Sequence, residues 1–167
     1  MRFNPEIHHR KSIRLKNYDY SALGFYFITI CCHQQLPLLG KIRNGLMHNN
    51  DIGNLVVQCW LAIAKQYSHI KLHEYVVMPN HFHGIIEIGG FDQGAINCAP
   101  TIGNIVRGFK GRSTRVFNQL NRFPSGNSLW QRNYHEHIIR NETSYTKICE
   151  YIQTNPLRWK NDSYFVQ

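Results

Sequence analysis

The chain contains short runs of consecutive apolar residues and longer segments in which apolar residues recur about every 3.6 positions. The clearest apolar run covers residues 24–32 and is rich in aromatic and β-branched residues. It predicts a central strand that is covered on both faces. Two further runs, at residues 72–78 and 81–88, are separated by Pro79-Asn80, a dipeptide that favours turns. Together they predict two strands joined by a tight turn.

Three segments have the apolar periodicity of amphipathic helices. The first two cover residues 52–66 and 102–120. The third begins after Asn141 or Thr143, either of which can cap a helix, and ends at Pro156, which cannot continue one. Helices are therefore expected between the predicted strands and after the last of them.

Two shorter extended segments, at residues 40–43 and 130–140, complete the pattern. The resulting order is strand, short strand, helix, two strands, helix, strand and helix, with compact connections. This order is typical of an α+β sandwich, in which helices pack on a central antiparallel sheet. The length is that of one domain with a proper core, which we place at residues 21–167.

The composition adds a strong positive charge to this picture. Lys and Arg number 19 and Asp and Glu 10, so the formal net charge is +9. Nucleic acid is the commonest partner of so basic a domain, and an anionic membrane surface is the alternative. No apolar run approaches the ~18 residues of a membrane span, and the charged N-terminus is unlike a signal peptide, so we expect a cytoplasmic protein. Five cysteines without a C-x-x-C spacing argue against a disulfide framework or a zinc knuckle.

Two groups of cations are candidates for contacts with nucleic-acid phosphates. The first lies in a basic N-terminal arm, residues 1–20, where cations beside Tyr18 and Tyr20 suit phosphate contact and base stacking. Its members are Arg10, Lys11, Arg14 and Lys16. The second lies mostly on the polar side of helix 102–120 and consists of Arg107, Lys110, Arg112 and Arg115. In both cases a merely solvated surface is the alternative.

A pair of histidines follows the predicted turn. On a strand, His81 and His83 project to the same face, whereas Phe82 projects to the other and is expected in the core. Two imidazoles on a rigid strand supply two ligands of a metal site. Histidines that are simply packed or exposed are the alternative. A second pair, His135 and His137, has the same spacing, and we rank it lower because no rigid turn precedes it.

The last predicted helix carries a tyrosine and an amide on one flank of its apolar stripe. Tyr151 and Asn155 are four positions apart and are therefore stacked on the same side of the helix. If this flank packs beside the two histidines, a phenol and an amide oxygen join the imidazoles. Alternatively, Tyr151 lies at the rim of the helix and Asn155 is its C-cap.

Two motifs, taken together, resemble those of the HUH single-strand DNA endonucleases, and specifically of the single-tyrosine transposases. They are Pro79-Asn-His-Phe-His83 and Glu150-Tyr-Ile-Gln-Thr-Asn-Pro156. The REP-associated tyrosine transposases are also similar in the flanking stretches, which are residues 10–21, 108–111, 130–131 and 137–140. The last stretch adds Arg140 to the DNA-binding candidates.

The resemblance implies a ferredoxin-like fold with the histidines on a central strand and the tyrosine on a helix beside it. It implies that His81 and His83 bind a divalent ion, Mg²⁺ or Mn²⁺. It further implies that Asn155 is the third protein ligand and that Tyr151 is the nucleophile. The implied partner is single-stranded or hairpin DNA, and the protein is expected to be a monomer or a homodimer.

The expected function is a metal-dependent DNA endonuclease and strand transferase, a transposase. The ion neutralises the scissile phosphate, and Tyr151 attacks it to leave a 5′-phosphotyrosine and a free 3′-hydroxyl. Because the covalent link conserves the bond energy, a second 3′-hydroxyl can rejoin the strand. The alternatives are a non-catalytic nucleic-acid-binding ferredoxin-like domain and a hydrolytic nuclease in which Tyr151 is structural.

Overall fold

The computed structural model describes residues 18–90, 100–120 and 128–166. Most of the basic arm, with its four candidate cations, lies outside these residues. The tyrosines at its end pack on the domain. Tyr20 is 9% exposed, and Tyr18 Oη lies 3.2 Å from Tyr26 Oη. The Tyr20 ring is therefore part of the core and is not available for base stacking.

The described residues form six strands, three α-helices and two short 3₁₀ helices. The strands are β1 (Gly24–Cys31), β2 (Gly40–Arg43), β3 (Leu46–Asn49), β4 (Ile70–Val77), β5 (His81–Ile88) and β6 (His135–Ile139). The α-helices are α1 (Asp51–Gln66), α2 (Ile102–Gln119) and α3 (Glu142–Thr154), and the 3₁₀ helices are His33–Gln35 and Trp159–Asn161. No helix in the described ranges is both long and apolar enough to cross a membrane.

Four strands form an antiparallel sheet in the order β4-β5-β1-β6. The apolar run that forms β1 is central, as its composition predicts. The connection from β1 to β4 contains the β2–β3 hairpin and helix α1, and helix α2 connects β5 to β6. Without the hairpin, the order of elements is the βαββαβ order of a ferredoxin-like fold. The predicted α+β fold is confirmed.

The sheet is covered by helices on both faces. On one face, α1 and α2 enclose the main core, in which the Phe82 ring lies 4.7 Å from that of Trp60 and 5.6 Å from that of Phe109. Phe82 is fully buried, as predicted. On the other face, α3 packs through Ile152 against Ile85 and β6. The two histidines of β5 therefore face α3.

Helix α1 approaches β5 closely where β5 carries a glycine. A Cβ at Gly84 would lie 2.6 Å from Cζ2 of the Trp60 ring and 2.9 Å from Cε1 of Phe82. Because Trp60 is fully buried, its ring has no space into which it could move. The close packing of α1 on the strand that carries the histidines thus requires glycine here.

Two extended segments differ from the pattern that the sequence predicts. Strand β3 has no counterpart in that pattern, although the dipeptide Asn44-Gly45 favours a hairpin. Both residues have positive φ, 51° and 74°, as the tight turn between β2 and β3 requires. The strand predicted at 130–140 is shorter, because β6 begins only at His135. Before it, Trp130 forms an isolated antiparallel bridge with Cys32, and Gln131 N donates to the carbonyl oxygen of Cys31 at 2.9 Å. The carbonyl groups of residues 131–133 accept hydrogen bonds from Lys110 Nζ.

Candidate active site

Strand β5 places two histidines in a buried position between the sheet and α3. His81 and His83 are 0% and 1% exposed, and their ring centroids are 4.6 Å apart. The turn that precedes them is anchored by the backbone: Met78 N donates to the carbonyl oxygen of His81, and Cys32 N donates to that of Asn80. The positions of both rings are therefore defined by the sheet itself.

Asn80 determines which nitrogen of His81 carries the proton. Its Nδ2 donates to the carbonyl oxygens of Gln35 at 3.2 Å and Tyr164 at 2.7 Å. Its Oδ1 is therefore the acceptor in the 2.9 Å contact with His81 Nδ1, and that nitrogen is the donor. The lone pair of His81 Nε2 is buried and accepts no hydrogen bond from any described residue.

His83 is held from both sides of its ring. Its Nδ1 lies 2.8 Å from Thr29 Oγ1, and its Nε2 lies 3.2 Å from Tyr151 Oη. We assign the tyrosine hydroxyl as donor to Nε2, since its contact with Asp162 Oδ2 is longer, at 3.5 Å. In that tautomer Nδ1–H donates to Thr29, and the Nε2 lone pair points toward α3. The ring stacks on Phe27 at a centroid distance of 5.3 Å.

Burial keeps both imidazoles neutral near pH 7. It lowers the pKa of His81 to about 4, although the charge of Asp162 acts in the opposite direction. The pKa of His83 is well below its usual value because of burial and, to a smaller extent, the neighbouring His81. A neutral imidazole with a free lone pair is the form that binds a metal ion.

Helix α3 brings Tyr151 and Asn155 to the two histidines. Tyr151 is 37% exposed, so its hydroxyl contacts His83 while part of its ring stays accessible from outside. Burial raises the pKa of Tyr151 to about 12, with a further contribution from the charge of Asp162. The phenol is therefore protonated near neutral pH. Asn155 is 2% exposed, and its Oδ1 has no hydrogen-bond partner.

Asp162 is part of the same cluster, and sequence reasoning did not find it. Its side chain is 2% exposed. Its Oδ2 accepts a hydrogen bond from Asn155 Nδ2 at 3.0 Å and lies 4.0 Å from His81 Nε2. The residue follows the 3₁₀ helix Trp159–Asn161 and belongs to no predicted element, so neither periodicity nor motif spacing could have indicated it.

The cluster fits a divalent cation. The ligand atoms of His81, His83 and Asp162 all lie within 4.8 Å of one another. Two buried acceptor atoms, His81 Nε2 and Asn155 Oδ1, have no hydrogen-bond partner in the described part of the chain, which is costly unless a ligand or ion satisfies them. Imidazole nitrogens together with amide and carboxylate oxygens form a donor set that suits Mn²⁺.

The second histidine pair does not join this cluster. His135 and His137 are exposed on β6, which is separated from β5 by β1. They pair with Thr29 and Phe27 of β1 and so lie on the same sheet face as His83, but at the edge of the sheet.

The predicted DNA-binding cations of α2 have two different environments. Arg107, Arg112 and Arg115 line a groove of about 630 Å³ between α1 and α2, together with Gln66 and Asn104. Lys110 is instead directed to the backbone of residues 131–133, where it donates to three carbonyl oxygens at 2.6, 2.9 and 3.2 Å. Arg140 is exposed just after β6.

Comparisons with known proteins give a consistent result. A family model described as "Transposase IS200 like" matches residues 30–155. An uncharacterized protein of Haemophilus influenzae is 45% identical over 179 residues, which cover 99% of this chain and 98% of that protein.

Two solved structures are similar in fold. One is a REP-associated tyrosine transposase bound to a REP hairpin, with a TM-score of 0.63, 19% identity, and coverage of 89% of this chain and 74% of that chain. The other is a putative transposase from Deinococcus radiodurans, with a TM-score of 0.51, 20% identity, and coverage of 85% and 96%.

Proposed function

The chain belongs to the IS200-like transposase family, and from this premise we propose that it is a metal-dependent single-strand DNA endonuclease and strand transferase. The proposal rests above all on one contact, the 3.2 Å between Tyr151 Oη and His83 Nε2. This contact joins the only candidate nucleophile suggested by the motifs to the buried histidine pair. A partly exposed phenol at the mouth of a buried polar cluster is accessible to a substrate phosphate.

We assign the metal-binding role to His81, His83 and Asn155. Three observations support this assignment: the free lone pair of His81 Nε2, the inward-facing Nε2 of His83, and Asn155 Oδ1, which has no partner among the described residues. Mg²⁺ or Mn²⁺, when bound there, supplies positive charge that stabilises the phosphate as negative charge develops in the transition state. Asn80 contributes by holding His81 in the tautomer that binds metal, and Thr29 contributes by orienting the His83 ring.

Tyr151 is the proposed nucleophile. Its Oη forms a bond to phosphorus, the bond from phosphorus to the 3′ oxygen breaks, and the DNA is left as a 5′-phosphotyrosine. Its pKa is raised to about 12, so the hydroxyl of the free protein is protonated near neutral pH, and this proton has to leave for the attack. The departing 3′ oxygen takes up a proton, so the step has no net proton release. Attack by another 3′-hydroxyl reverses it and joins the strands.

Single-stranded or hairpin DNA is the proposed substrate. One solved structure of similar fold is a transposase bound to a REP hairpin, and the net charge of +9 favours a polyanionic partner. The groove cations Arg107, Arg112 and Arg115 are the proposed phosphate contacts of the described domain, with Arg140 as a further candidate. We place the remaining contacts on the basic arm, residues 1–20, and the catalytic domain at residues 21–167. A cytoplasmic monomer or homodimer is consistent with this role.

The experiment that tests the proposal is a covalent trapping assay. Wild-type protein is incubated with hairpin DNA that carries a single-stranded extension and with Mn²⁺, and a denaturing gel is examined for protein linked to DNA. Tyr151→Phe should form no adduct while still binding the DNA, because only the attacking oxygen is removed. Tyr145→Phe is the matched control, since it removes a hydroxyl from the same helix that contacts His73 instead.

The outcomes separate the candidate functions. An adduct that persists in Tyr151→Phe would remove Tyr151 from its role. Cleavage by the wild type without any adduct would favour a hydrolytic nuclease. Binding without cleavage, with or without metal, would favour the non-catalytic DNA-binding domain.

A further inference from the structure

Asp162 is a buried carboxylate that has no lysine or arginine partner among the described residues. Its side chain is 2% exposed, and within the described ranges no lysine or arginine nitrogen lies within 4.0 Å of it. The nearest titratable base is His81, whose Nε2 lies 4.0 Å from Asp162 Oδ2 and is itself one of the proposed metal ligands. A buried charge is costly unless it is paired or coordinates a metal, so this position calls for a cation.

The carboxylate is held in a defined orientation. Its Oδ1 accepts from Tyr164 N at 2.7 Å, which directs Oδ2 inward. Oδ2 then lies 3.0 Å from Asn155 Nδ2, 3.5 Å from Tyr151 Oη and 4.0 Å from His81 Nε2. Asp162 Oδ2 is thus close to the proposed amide ligand Asn155, the proposed nucleophile Tyr151 and the proposed imidazole ligand His81.

The segment that carries Asp162 is anchored to the turn before the histidines. Asn80 Nδ2, whose Oδ1 orients His81, donates to the carbonyl oxygen of Tyr164 at 2.7 Å. The Tyr164 ring also lies 4.8 Å from that of His81. Asp162 is thus built into the site, although it lies beyond residues 30–155, the part of the chain that matches the family model.

We propose that Asp162 binds the divalent ion directly, as an anionic ligand beside His81, His83 and Asn155. The inference rests on the proposed function, because it assigns a further ligand to the same ion. The carboxylate supplies the negative charge that the neutral imidazoles and the amide lack. It also makes half of the protein ligands oxygen atoms, which favours Mg²⁺ and Mn²⁺ over softer ions.

The test measures Mn²⁺ affinity in the absence of DNA. Full-length protein is titrated with Mn²⁺, and free Mn²⁺ is quantified by electron paramagnetic resonance. Asp162→Asn is the informative change, because it removes the charge but keeps the shape of the side chain. Its one amide oxygen can still accept from Asn155 Nδ2, at the expense of the hydrogen bond from Tyr164 N. We expect its dissociation constant to rise at least about tenfold. The control Ser163→Ala changes an exposed neighbour and should bind as the wild type does.

The two roles open to Asp162 give different results. If it only orients Asn155, Asp162→Asn keeps that hydrogen bond and binds Mn²⁺ like the wild type, which would overturn the proposal. The proposed function would still stand if the double variant His81→Ala, His83→Ala no longer bound Mn²⁺ in the same titration, because the ion would then still depend on the two histidines. If the wild type itself bound no Mn²⁺, the metal dependence in the proposed function would fall and this inference with it.

A second measurement does not depend on a variant. Crystals of the wild-type protein soaked in Mn²⁺ should show an anomalous peak bonded to Asp162 Oδ2 as well as to the two imidazoles. A peak bonded to the imidazoles with the carboxylate turned away would contradict the proposal even if Asp162→Asn failed to fold.

Discussion

At the scale of single residues, the hydrogen bonds of Asn80 determine which nitrogen of His81 carries the proton. Asn80 has its two amide hydrogens occupied by carbonyl oxygens, so its own oxygen must receive the proton of His81 Nδ1. Because the proton is on Nδ1, His81 Nε2 has a buried lone pair that accepts no hydrogen bond from the described residues. Asn80, which is not one of the proposed ligands, thereby decides which nitrogen of His81 can bind a metal.

The choice between the two histidine pairs leads to a prediction at this scale. His81→Ala with His83→Ala should abolish both Mn²⁺ binding and adduct formation, because two of the proposed ligands are removed. His135→Ala with His137→Ala should retain both, since these side chains are exposed at the sheet edge. Mn²⁺ titration and the covalent trapping assay on both double variants check this. A greater loss in the second variant would mean that the metal site lies on β6.

At the scale of elements, strand β5 connects the core to the site. Its even-numbered side chains pack under α1 and α2, and its odd-numbered side chains face α3. The positions of the histidines therefore depend on how tightly α1 lies against the sheet. Gly84, between the packed Phe82 and the ring of Trp60, is where that contact is closest.

Gly84→Ala should destabilise the fold by about 1–3 kcal/mol, because the added methyl group would overlap the Trp60 ring in a closely packed core. The free energy of unfolding in urea, with circular dichroism as the probe, measures this change. Gly111→Ala is the matched control: its Cβ would meet no atom within 4 Å, and on helix α2 it should stabilise by about 0.4–1 kcal/mol. A Gly84→Ala protein as stable as the wild type would show that α1 can shift.

At the scale of the whole molecule, the groove cations and the candidate chemistry lie on different faces of the sheet. The groove cations belong to the α1–α2 layer, whereas Tyr151 and the histidines lie between the sheet and α3. Lys110 belongs to neither surface, since it ties α2 to the segment that leads into β6. A bound DNA that uses both surfaces must therefore extend around the domain.

Neutralising the groove should weaken DNA binding in a salt-dependent way. Arg107→Ala, Arg112→Ala and Arg115→Ala together should reduce the slope of log affinity against log salt by about 0.7–0.9 for each phosphate that the variant no longer neutralises. Fluorescence anisotropy with labelled hairpin DNA at several salt concentrations measures the slope. Lys41→Ala, Arg43→Ala and Lys71→Ala remove the same charge from exposed positions elsewhere and serve as the control. Equal slopes in the two triple variants would show that only net charge matters.

The sequence by itself determined most of the elements and the face on which each candidate side chain lies. Strand period, helix period and the capping of the last helix are properties of neighbouring residues. The structure reproduces both periods, and of the two candidate caps it uses Asn141. The same local rules put His81 and His83 on one side of a strand and Tyr151 and Asn155 on one side of a helix. The family motifs then supplied roles for these four residues, which stay predictions.

Only the tertiary structure decided which of these faces meet. Tyr151 Oη reaches His83 Nε2 across 68 positions of sequence, and Lys110 binds carbonyl groups more than 20 positions away. Asp162 enters the cluster from a segment with no periodic pattern. Such contacts depend on how distant segments pack together, and because that packing is a property of the whole chain, no local pattern of residues encodes it.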